Sequence, residues 1–251
     1  MNTRYVIITG ATGGLGQAVA QHLAAHDWSL ILLSRNAEKL DRIKAPKGTL
    51  RIVTDVSKPG GTSEAIEKCR AKFQRFPVAL VNCAGSVLLS PMHRMDEQQY
   101  QDTIHANLDT AFNSLKEFVS ACIQARVQGS AVLISSVAAQ IGMANHEAIS
   151  AVKAAIEGLT RSAAANYAQH GIRINAVAPG LMRTPATEQF FLSPSAVRKI
   201  NMQYPLGRHG KTEDVAQAIG WLLSSEANWV TGQVISVDGG YSALRTLPRS
   251  A

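Results

Sequence analysis

The chain alternates short runs of Val, Ile and Leu with longer segments whose apolar residues recur at helical spacing. The apolar runs predict seven strands, at 4–9, 29–34, 50–56, 78–85, 130–136, 172–180 and 233–240. The segments between them predict helices near 15–26, 37–44, 61–75, 96–127, 146–169 and 212–224. Apolar strands that alternate with helices are typical of a parallel sheet covered on both faces. Since such crossovers are right-handed, the pattern predicts an α/β fold with a doubly wound sheet of about seven strands.

The least regular region is 185–211, which contains three prolines. It follows a predicted strand, so it would lie at the carboxyl edge of the sheet, where α/β proteins bind ligands. We expect residues 1–251 to form a single domain and residues 185–211 to be a lid over its substrate site. The apolar side chains of this segment either favour an apolar substrate or form the core of the lid; they are Phe190, Phe191, Leu192, Met202 and Tyr204.

The composition is that of a globular protein, since 46% of the 251 residues are hydrophobic and 17% are charged. The three cysteines, Cys69, Cys83 and Cys122, lack the paired spacing of a zinc site or a disulfide framework, and the seven histidines show no metal-binding pattern. We therefore expect no metal. Residues 1–16 hold an apolar run too short for a signal peptide or a membrane span, so we expect a cytoplasmic protein with no membrane partner.

The formal net charge of +7 permits an anionic partner. The basic residues are scattered, however, and no dense basic run interleaves with aromatic residues as in nucleic-acid-binding proteins. We therefore expect no nucleic acid partner. A phosphorylated cofactor or an acyl thioester would account for the charge, and the expected partner is a small molecule.

A glycine-rich turn joins the first predicted strand to the first predicted helix. In "TGATGGLG" the residues Thr9, Gly10, Gly14 and Gly16 follow the pattern T-G-x-x-x-G-x-G, with Thr12 and Leu15 inside it. Glycines are needed where the backbone turns with positive φ and where a pyrophosphate approaches backbone N–H groups at the start of a helix. A glycine cluster in this position predicts a dinucleotide site.

The residues after the second strand indicate which dinucleotide binds. A carboxylate commonly receives the adenosine 2′-hydroxyl at this point, but the chain has Ser34, Arg35 and Asn36. An arginine and a serine suit a 2′-phosphate, to which they can donate charge-assisted hydrogen bonds. We therefore expect NADP(H) to be preferred over NAD(H), although Arg35 could also be a solvated loop residue.

Together these motifs give the chain a family resemblance. Over residues 4–241 it resembles the short-chain dehydrogenase/reductase family, whose members have a Rossmann-type fold. The resemblance implies further cofactor contacts: Asp55 and Val56 at the adenine, Asn82, Ala84 and Gly85 of "NCAG" beside the cofactor, and Pro179, Gly180 and Thr184 at the nicotinamide carboxamide.

The same resemblance implies three catalytic positions. Asn107 matches the asparagine that holds a proton-relay water, Ser136 the serine that orients the substrate, and Lys153 the lysine that binds the nicotinamide ribose. The family also places a tyrosine thirteen residues after the serine and four before the lysine. Both counts arrive at Ile149. The resemblance therefore implies a complete cofactor site without the phenol that exchanges the proton.

Loss of a positioned general acid typically costs about 10² to 10⁴ in rate, so efficient carbonyl reduction would need another proton donor. His146 lies seven residues before Lys153, about 20° away around an ideal helix. There, capped by Asn145, a neutral imidazole could still donate a proton through its N–H, or His146 could be only a polar first-turn residue. Weaker candidates are Glu147, on another side of the helix, Ser150, which lacks an activating base, and His93 in the loop after the fourth strand.

The sequence leaves three functional interpretations open. The first is an NADP(H)-dependent oxidoreductase for a small apolar carbonyl or alcohol with an altered proton donor. In the second, hydride passes to an iminium or a conjugated enone, or the reaction is not a redox step. In the third, the chain is an NADP(H)-binding sensor or an inactive partner subunit. The resemblance also implies a homotetramer or homodimer, assembled through the helices near 100–125 and 150–168 and through the last helix and strand.

Overall fold

A computed structural model describes residues 4–245, in which all seven strands form one sheet. Every pair of neighbouring strands is parallel, and the spatial order is β3-β2-β1-β4-β5-β6-β7. The strands are β1 (Arg4–Thr9), β2 (Trp28–Ser34), β3 (Leu50–Val53), β4 (Ala79–Asn82), β5 (Gly129–Ile134), β6 (Ile172–Pro179) and β7 (Val234–Val237). The order reverses between β1 and β4, and the crevice at such a point is where doubly wound sheets bind ligands. The predicted fold is confirmed.

Helices cover both faces of the sheet. They are α1 (Gly14–Ala25), α2 (Ala37–Asp41), α3 (Gly61–Phe73), α4 (Glu97–Ile104), α5 (Thr110–Ala125), α6 (Glu147–Tyr167), α7 (Pro194–Met202) and α8 (Thr212–Leu223). Alternate residues of each strand face opposite sides, so Ile7 packs with α3, α5 and α6, whereas Ile8 packs with α1 and α8. Two apolar layers therefore hold the sheet rigid, and its carboxyl edge is free for chemistry.

Two sequence predictions need correction. The helix expected over 96–127 is interrupted by a π-helical turn, His105–Asp109, between α4 and α5. Neither glycine nor proline marks this turn, so helical spacing alone does not reveal it. Strands expected to reach 56, 85 and 240 end at 53, 82 and 237, because the chain leaves the ladder there to form the turns of the site.

Within residues 4–245 no helix is both long and apolar enough to cross a membrane.

Arg173 on β6 ties the sheet to the end of α8. Its guanidinium donates to the carbonyl oxygens of Leu222 at 2.7 Å, Ser224 at 3.0 Å and Val230 at 3.4 Å. We expect Arg173→Met to lower the free energy of unfolding by about 2 to 3 kcal/mol, because it leaves these carbonyls without a charged donor. Urea denaturation would measure the loss. Arg161→Met, at an exposed position of α6, is the control and should change it by less than about 0.5 kcal/mol; equal losses would contradict the assignment.

Candidate active site

The glycine turn is shaped by close backbone contacts. Gly10 has φ +61°, and a Cβ there would lie 2.6 Å from the Ala84 nitrogen at the end of β4. A Cβ on Gly16 would overlap the Gly10 carbonyl oxygen, so neither position accepts a side chain. Helix α1 begins at Gly14 without a side-chain cap, and its first backbone N–H groups are therefore available to an anion.

Thr9 and Asn82 lie beneath this turn. The Thr9 hydroxyl donates to Asn82 Oδ1 at 2.6 Å and accepts from the Ala84 N–H at 3.3 Å. Both side chains are buried, so they join the ends of β1 and β4 and do not line the cavity. The sequence analysis expected Thr9 and Asn82 to contact the cofactor. Their side chains instead hold together the two strand ends on which the turn rests.

The second strand ends in a small polar cluster. The hydroxyl groups of Thr12 and Ser34 lie 2.9 Å apart, and Ser34 Oγ accepts from the Asn36 N–H at 3.2 Å. Asn36 Oδ1 accepts from the Lys39 N–H and caps α2. Arg35 is exposed beside them. The structure thus brings Thr12, Ser34 and Arg35 together at one end of the crevice, while the Asn36 side chain serves the helix.

Asp55 and Val56 lie at the end of β3, in the same region. Burial raises the pKa of the Asp55 carboxyl, but hydrogen bonds from Ser57 and the nearby charges of Arg35 and Lys58 outweigh it and lower the pKa overall. The carboxylate is therefore ionised at neutral pH. Val56 is buried in the core, so its side chain packs inside the protein.

A cavity of about 390 Å³ opens at the carboxyl edge of the sheet. It brings together most of the predicted site residues, which come from α1, the turn after β4, the π-helical turn, β5, α6 and β6. These lining residues are Gly14, Leu15, Gly16, Ala84, Gly85, Asn107, Ser136, His146, Lys153, Pro179, Gly180 and Thr184.

The segment that carries Ser136 is fixed against α6. Ser136 Oγ accepts from the Ala138 N–H at 3.1 Å, and the Ser150 hydroxyl donates to the Ala138 carbonyl at 2.6 Å. The Ser135 hydroxyl donates to the Glu157 carboxylate at 2.9 Å. The position of Ser136 relative to Ile149 and Lys153 is therefore determined by α6 itself. The Ser136 hydroxyl keeps its own proton for a ligand.

Lys153 is a buried cation without a carboxylate partner among the described residues. Its Nζ donates to the Ile134 carbonyl at 2.9 Å, and the residue is 8% exposed. Burial lowers the pKa of Lys153 to about 8. Burial likewise raises the pKa of the Cys83 thiol to about 12. Lys153 therefore titrates close to physiological pH, and Cys83 stays protonated.

Asn107 belongs to the π-helical turn. Its Nδ2 donates to the Thr103 carbonyl at 2.9 Å, and its Oδ1 accepts from the Ser86 N–H at 3.3 Å. A Cβ on Gly85 would lie 2.9 Å from Asn107 Oδ1 and 3.7 Å from Lys153 Nζ. The two polar atoms flank the same space beside Gly85, and the π turn is the feature that aims Asn107 into it.

Ile149 and His146 both line the cavity, but the local structure differs from the prediction. Helix α6 begins at Glu147, so His146 is the N-cap residue, and Asn145 has φ +63° and does not cap the helix. His146 Nδ1 lies 2.7 Å from the Ala144 carbonyl oxygen. Since a carbonyl only accepts, Nδ1 carries the proton of the neutral ring and Nε2 is an acceptor.

The weaker proton-donor candidates lie elsewhere or are engaged. The Ser150 proton is donated to Ala138, Glu147 is exposed, and His93 is exposed in the turn Met92–Arg94, outside the cavity. None of the three offers a free proton to a substrate held by Ser136.

Segment 185–211 contains α7 and borders the cavity. Phe190 and Tyr204 line it, and the Tyr204 hydroxyl accepts from the Leu181 N–H at 2.8 Å. Phe191 is buried against His209, whereas Leu192 and Met202 are 79% and 83% exposed. The sequence analysis placed Leu192 and Met202 either at an apolar substrate or in the core of the lid. Both interpretations are wrong for these two residues, because their side chains are exposed.

Several lining residues were not predicted from the sequence. Val87, Leu89, Met143 and Ile200 form apolar walls, and Tyr241 follows the glycines after β7. Val87, Leu89 and Met143 lie in loops, which give no periodic signal, and Ile200 lies on α7, a helix that the sequence analysis did not predict. Tyr241 comes directly after the "DGG" motif, at the end of a predicted strand. This position is the one sequence feature that could have indicated a place in the cavity.

These features fit a dinucleotide. The crowded glycine turn leaves room only for backbone, the uncapped α1 start provides N–H groups for a pyrophosphate, and Arg35 supplies a cation at the adenosine end. Lys153 and Thr184 lie at the other end, where Thr184 packs beside Gly14. In the described part of the chain no group of three or more His, Cys, Asp or Glu side chains could hold a metal ion.

Comparison with known proteins gives consistent matches. A family model described as "Enoyl-(Acyl carrier protein) reductase" matches residues 10–242. The 3-oxoacyl-[acyl-carrier-protein] reductase FabG of Thermotoga maritima is 37% identical over 240 residues, which are 93% of this chain and 96% of that protein. The cis-4-hydroxycyclohexanecarboxylate dehydrogenase of Sinomonas cyclohexanicum is 32% identical, covering 96% and 97%.

A solved structure of ElxO with NADP bound has a TM-score of 0.90 and 30% identity, covering 97% of this chain and all of that one. The relatives named above are dehydrogenases and reductases, and the likeness extends over both the glycine turn and the catalytic helix. The chain belongs to the short-chain dehydrogenase/reductase family of oxidoreductases.

Proposed function

We propose that the protein is an NADP(H)-dependent oxidoreductase that transfers hydride to or from a small apolar carbonyl, alcohol or conjugated substrate, with a proton donor other than a phenol at position 149. One observation carries the proposal: a single cavity connects the glycine turn to Ser136, Asn107 and Lys153, and Ile149 faces the same space.

The cofactor end supports NADP(H). Ser34 and Arg35 offer a hydroxyl and a guanidinium where a 2′-phosphate would lie, and no carboxylate follows β2 directly. A carboxylate there would accept the 2′-hydroxyl of NAD(H) and repel a phosphate. The solved structure of ElxO contains NADP, which agrees with this assignment.

The substrate end supports an apolar substrate with one reacting oxygen. Side chains without polar atoms form most of the cavity wall there. The Ser136 hydroxyl accepts a hydrogen bond within the protein but donates none, so its proton is available to a substrate. Bound NADP(H) supplies or accepts the hydride. Ser136 would orient the substrate oxygen by a hydrogen bond, and the buried walls would exclude water from the reacting carbon. Lys153 would hold the ribose of the cofactor.

His146 has a different role from the one expected from the sequence. In the neutral ring the Nδ1–H donates a hydrogen bond to the Ala144 carbonyl, and Nε2 is free to accept a proton. Only an imidazolium would have a proton on Nε2 to donate. A neutral His146 is therefore suited to accept the proton of an alcohol during oxidation, and poorly suited to give one during reduction.

The protein is proposed to assemble as a homotetramer or homodimer. A groove between α5 and α6 is lined by Phe112, Leu159, Ala163 and Tyr167, and the Phe112 side chain is half exposed. Trp229, before β7, is almost fully exposed. Large exposed aromatic side chains on two separate faces suit interfaces between copies of the chain.

The proposal is tested by NADPH binding together with turnover. We expect NADPH to raise the melting temperature, and at least one class among aldehydes, ketones, enones and imines to cause NADPH oxidation, followed by its absorbance. Stabilisation without turnover of any class would contradict an enzyme and favour a binding protein. No stabilisation by NADPH or NADH would refute the cofactor site itself.

A variant at Arg35 tests the choice of cofactor. We expect Arg35→Asp to weaken NADPH binding about 10- to 100-fold, because a charge-assisted hydrogen bond to the 2′-phosphate is replaced by repulsion. NADH binding should be unchanged or improved. Calorimetric titration of both dinucleotides measures this, with Arg161→Asp as the matched control. An NADPH affinity equal to that of the control would show that Arg35 does not contact the phosphate.

A further inference from the structure

Reduction of a carbonyl at this site leaves a negative oxygen beside Ser136 that must gain a proton. Ile149 has none to give. Among the described residues that line the cavity, five side chains have an ionisable group that can carry a proton: Cys83, His146, Lys153, Tyr204 and Tyr241. Their surroundings decide which of them can act as the acid. This question rests on the proposed function above and sharpens it.

Two of the five are poor acids at neutral pH. Burial raises the pKa of Cys83 to about 12, and burial raises the pKa of Tyr204 to about 12 although Leu181 donates to its hydroxyl. The Nδ1–H of the neutral His146 ring donates a hydrogen bond to the Ala144 carbonyl. Cys83 and Tyr204 therefore hold their protons too tightly to act as acids, and the N–H of neutral His146 is already engaged.

Tyr241 belongs to another part of the cavity wall. It follows β7, whereas Ser136 follows β5, and β6 lies between the two strands. Its ring packs on Tyr204 with centroids 5.0 Å apart. Tyr241 is therefore a weaker candidate than a group on α6, the helix that carries Ile149.

Lys153 is in the right place. It lies one helical turn after Ile149 on α6, and its Nζ donates to Ile134, two residues before Ser136. That is its one hydrogen bond within residues 4–245, so two N–H donors remain for the cavity. The space beside Gly85 connects Nζ with Asn107, which can hold a water that returns a proton to Lys153 from solvent.

We propose that the Lys153 ammonium is itself the proton donor for reduction, acting directly or through one water in the space that the isoleucine at 149 leaves. Bound NADPH would supply the hydride for the new C–H bond, and the C=O π electrons would move to oxygen. One N–H bond of Lys153 breaks as the O–H bond forms, which leaves a neutral amine that regains its proton from solvent beside Asn107.

The acidity of Lys153 agrees with this role. Burial lowers its pKa to about 8, near the value that suits a general acid at physiological pH. From β4 it faces Cys83, which is protonated. From β5 and the π turn it faces Ser135, Ser136 and Asn107, which do not titrate. His146, the N-cap of α6, lines the same cavity, as do Tyr204 and Tyr241 from beyond β6 and β7. The Glu157 carboxylate, one turn further along α6, accepts from Ser135.

The decisive variant is Lys153→Arg, which keeps the cation but holds its proton far more tightly. We expect wild-type kcat/KM for carbonyl reduction to be constant at low pH and to fall as pH rises through about 8. Lys153→Arg can still donate to the ribose, so it should bind NADPH with an affinity that falls by about tenfold at most, measured by calorimetry. Reduction at saturating NADPH should nevertheless drop about 100-fold or more. Adding Ile149→Tyr to this variant should restore part of the rate, because a phenol again supplies the proton.

The outcomes separate this inference from the proposed function. If the wild type reduces no carbonyl compound, the proposed function fails and the acid role fails with it. If the wild type is active and Lys153→Arg keeps its rate and pH profile, only the acid role is overturned. A loss of rate that the added tyrosine does not restore would also overturn it, since it would indicate a structural role for Lys153.

A second measurement does not require turnover. Folding lowers the pKa of Lys153 from 10.5 to about 8, so the cost of burying the charge is fully present below pH 8 and disappears as pH rises towards 10.5. Lys153→Met should therefore raise the melting temperature at pH 7 and less so near pH 10, whereas Lys44→Met, at an exposed position, should do neither. A ¹³Cε titration of Lys153 near 10.5, without the stability gain, would overturn the proposal.

Discussion

The close approach of β1 and β4 at the reversal of strand order is the contact on which the rest of the site depends. Gly10 meets the backbone of Ala84 there, and the buried pair of Thr9 and Asn82 holds the two strand ends in register. Because the strands are parallel and both end at this point, α1 and the turn after β4 diverge on either side of one crevice. Any side chain at Gly10 would separate the two strands and the two halves of the cavity with them.

Helix α6 holds the Ser136 side of the cavity in place, as the contact between β1 and β4 holds the side with the glycine turn. Ser150 and Glu157 fix the segment that carries Ser136, while Ile149 and Lys153 present the opposite wall. One rigid element thus sets the distance between the Ser136 hydroxyl and the Lys153 ammonium. A change of side chain at 149 would alter the chemistry of this wall, while the backbone of α6 would keep Lys153 in place.

The sequence predicted the sheet, its order of elements and most of the cavity, because those features follow from hydrophobic period and from motifs at strand ends. It did not predict the π turn at Asn107, since an extra residue in a helical turn leaves no mark in composition. The protonation of His146 was also beyond it, because the deciding acceptor is a backbone carbonyl two residues away. Leu192 and Met202 were misplaced for a related reason: an apolar residue in a loop carries no information about the direction it faces.

A buried ammonium without a carboxylate partner is costly, and its presence here needs a reason. A neighbouring carboxylate would offset this cost, and a neutral residue at 153 would remove it. Within residues 4–245 neither applies: the Lys153 Nζ donates to the Ile134 carbonyl, and the cavity wall at 149 is hydrocarbon. Isoleucine has no polar atom to solvate the amine, and burial in apolar surroundings is what lowers the pKa of an amine. On the proposed role of Lys153, the side chain that offers no proton itself would therefore also favour release of a proton from the lysine.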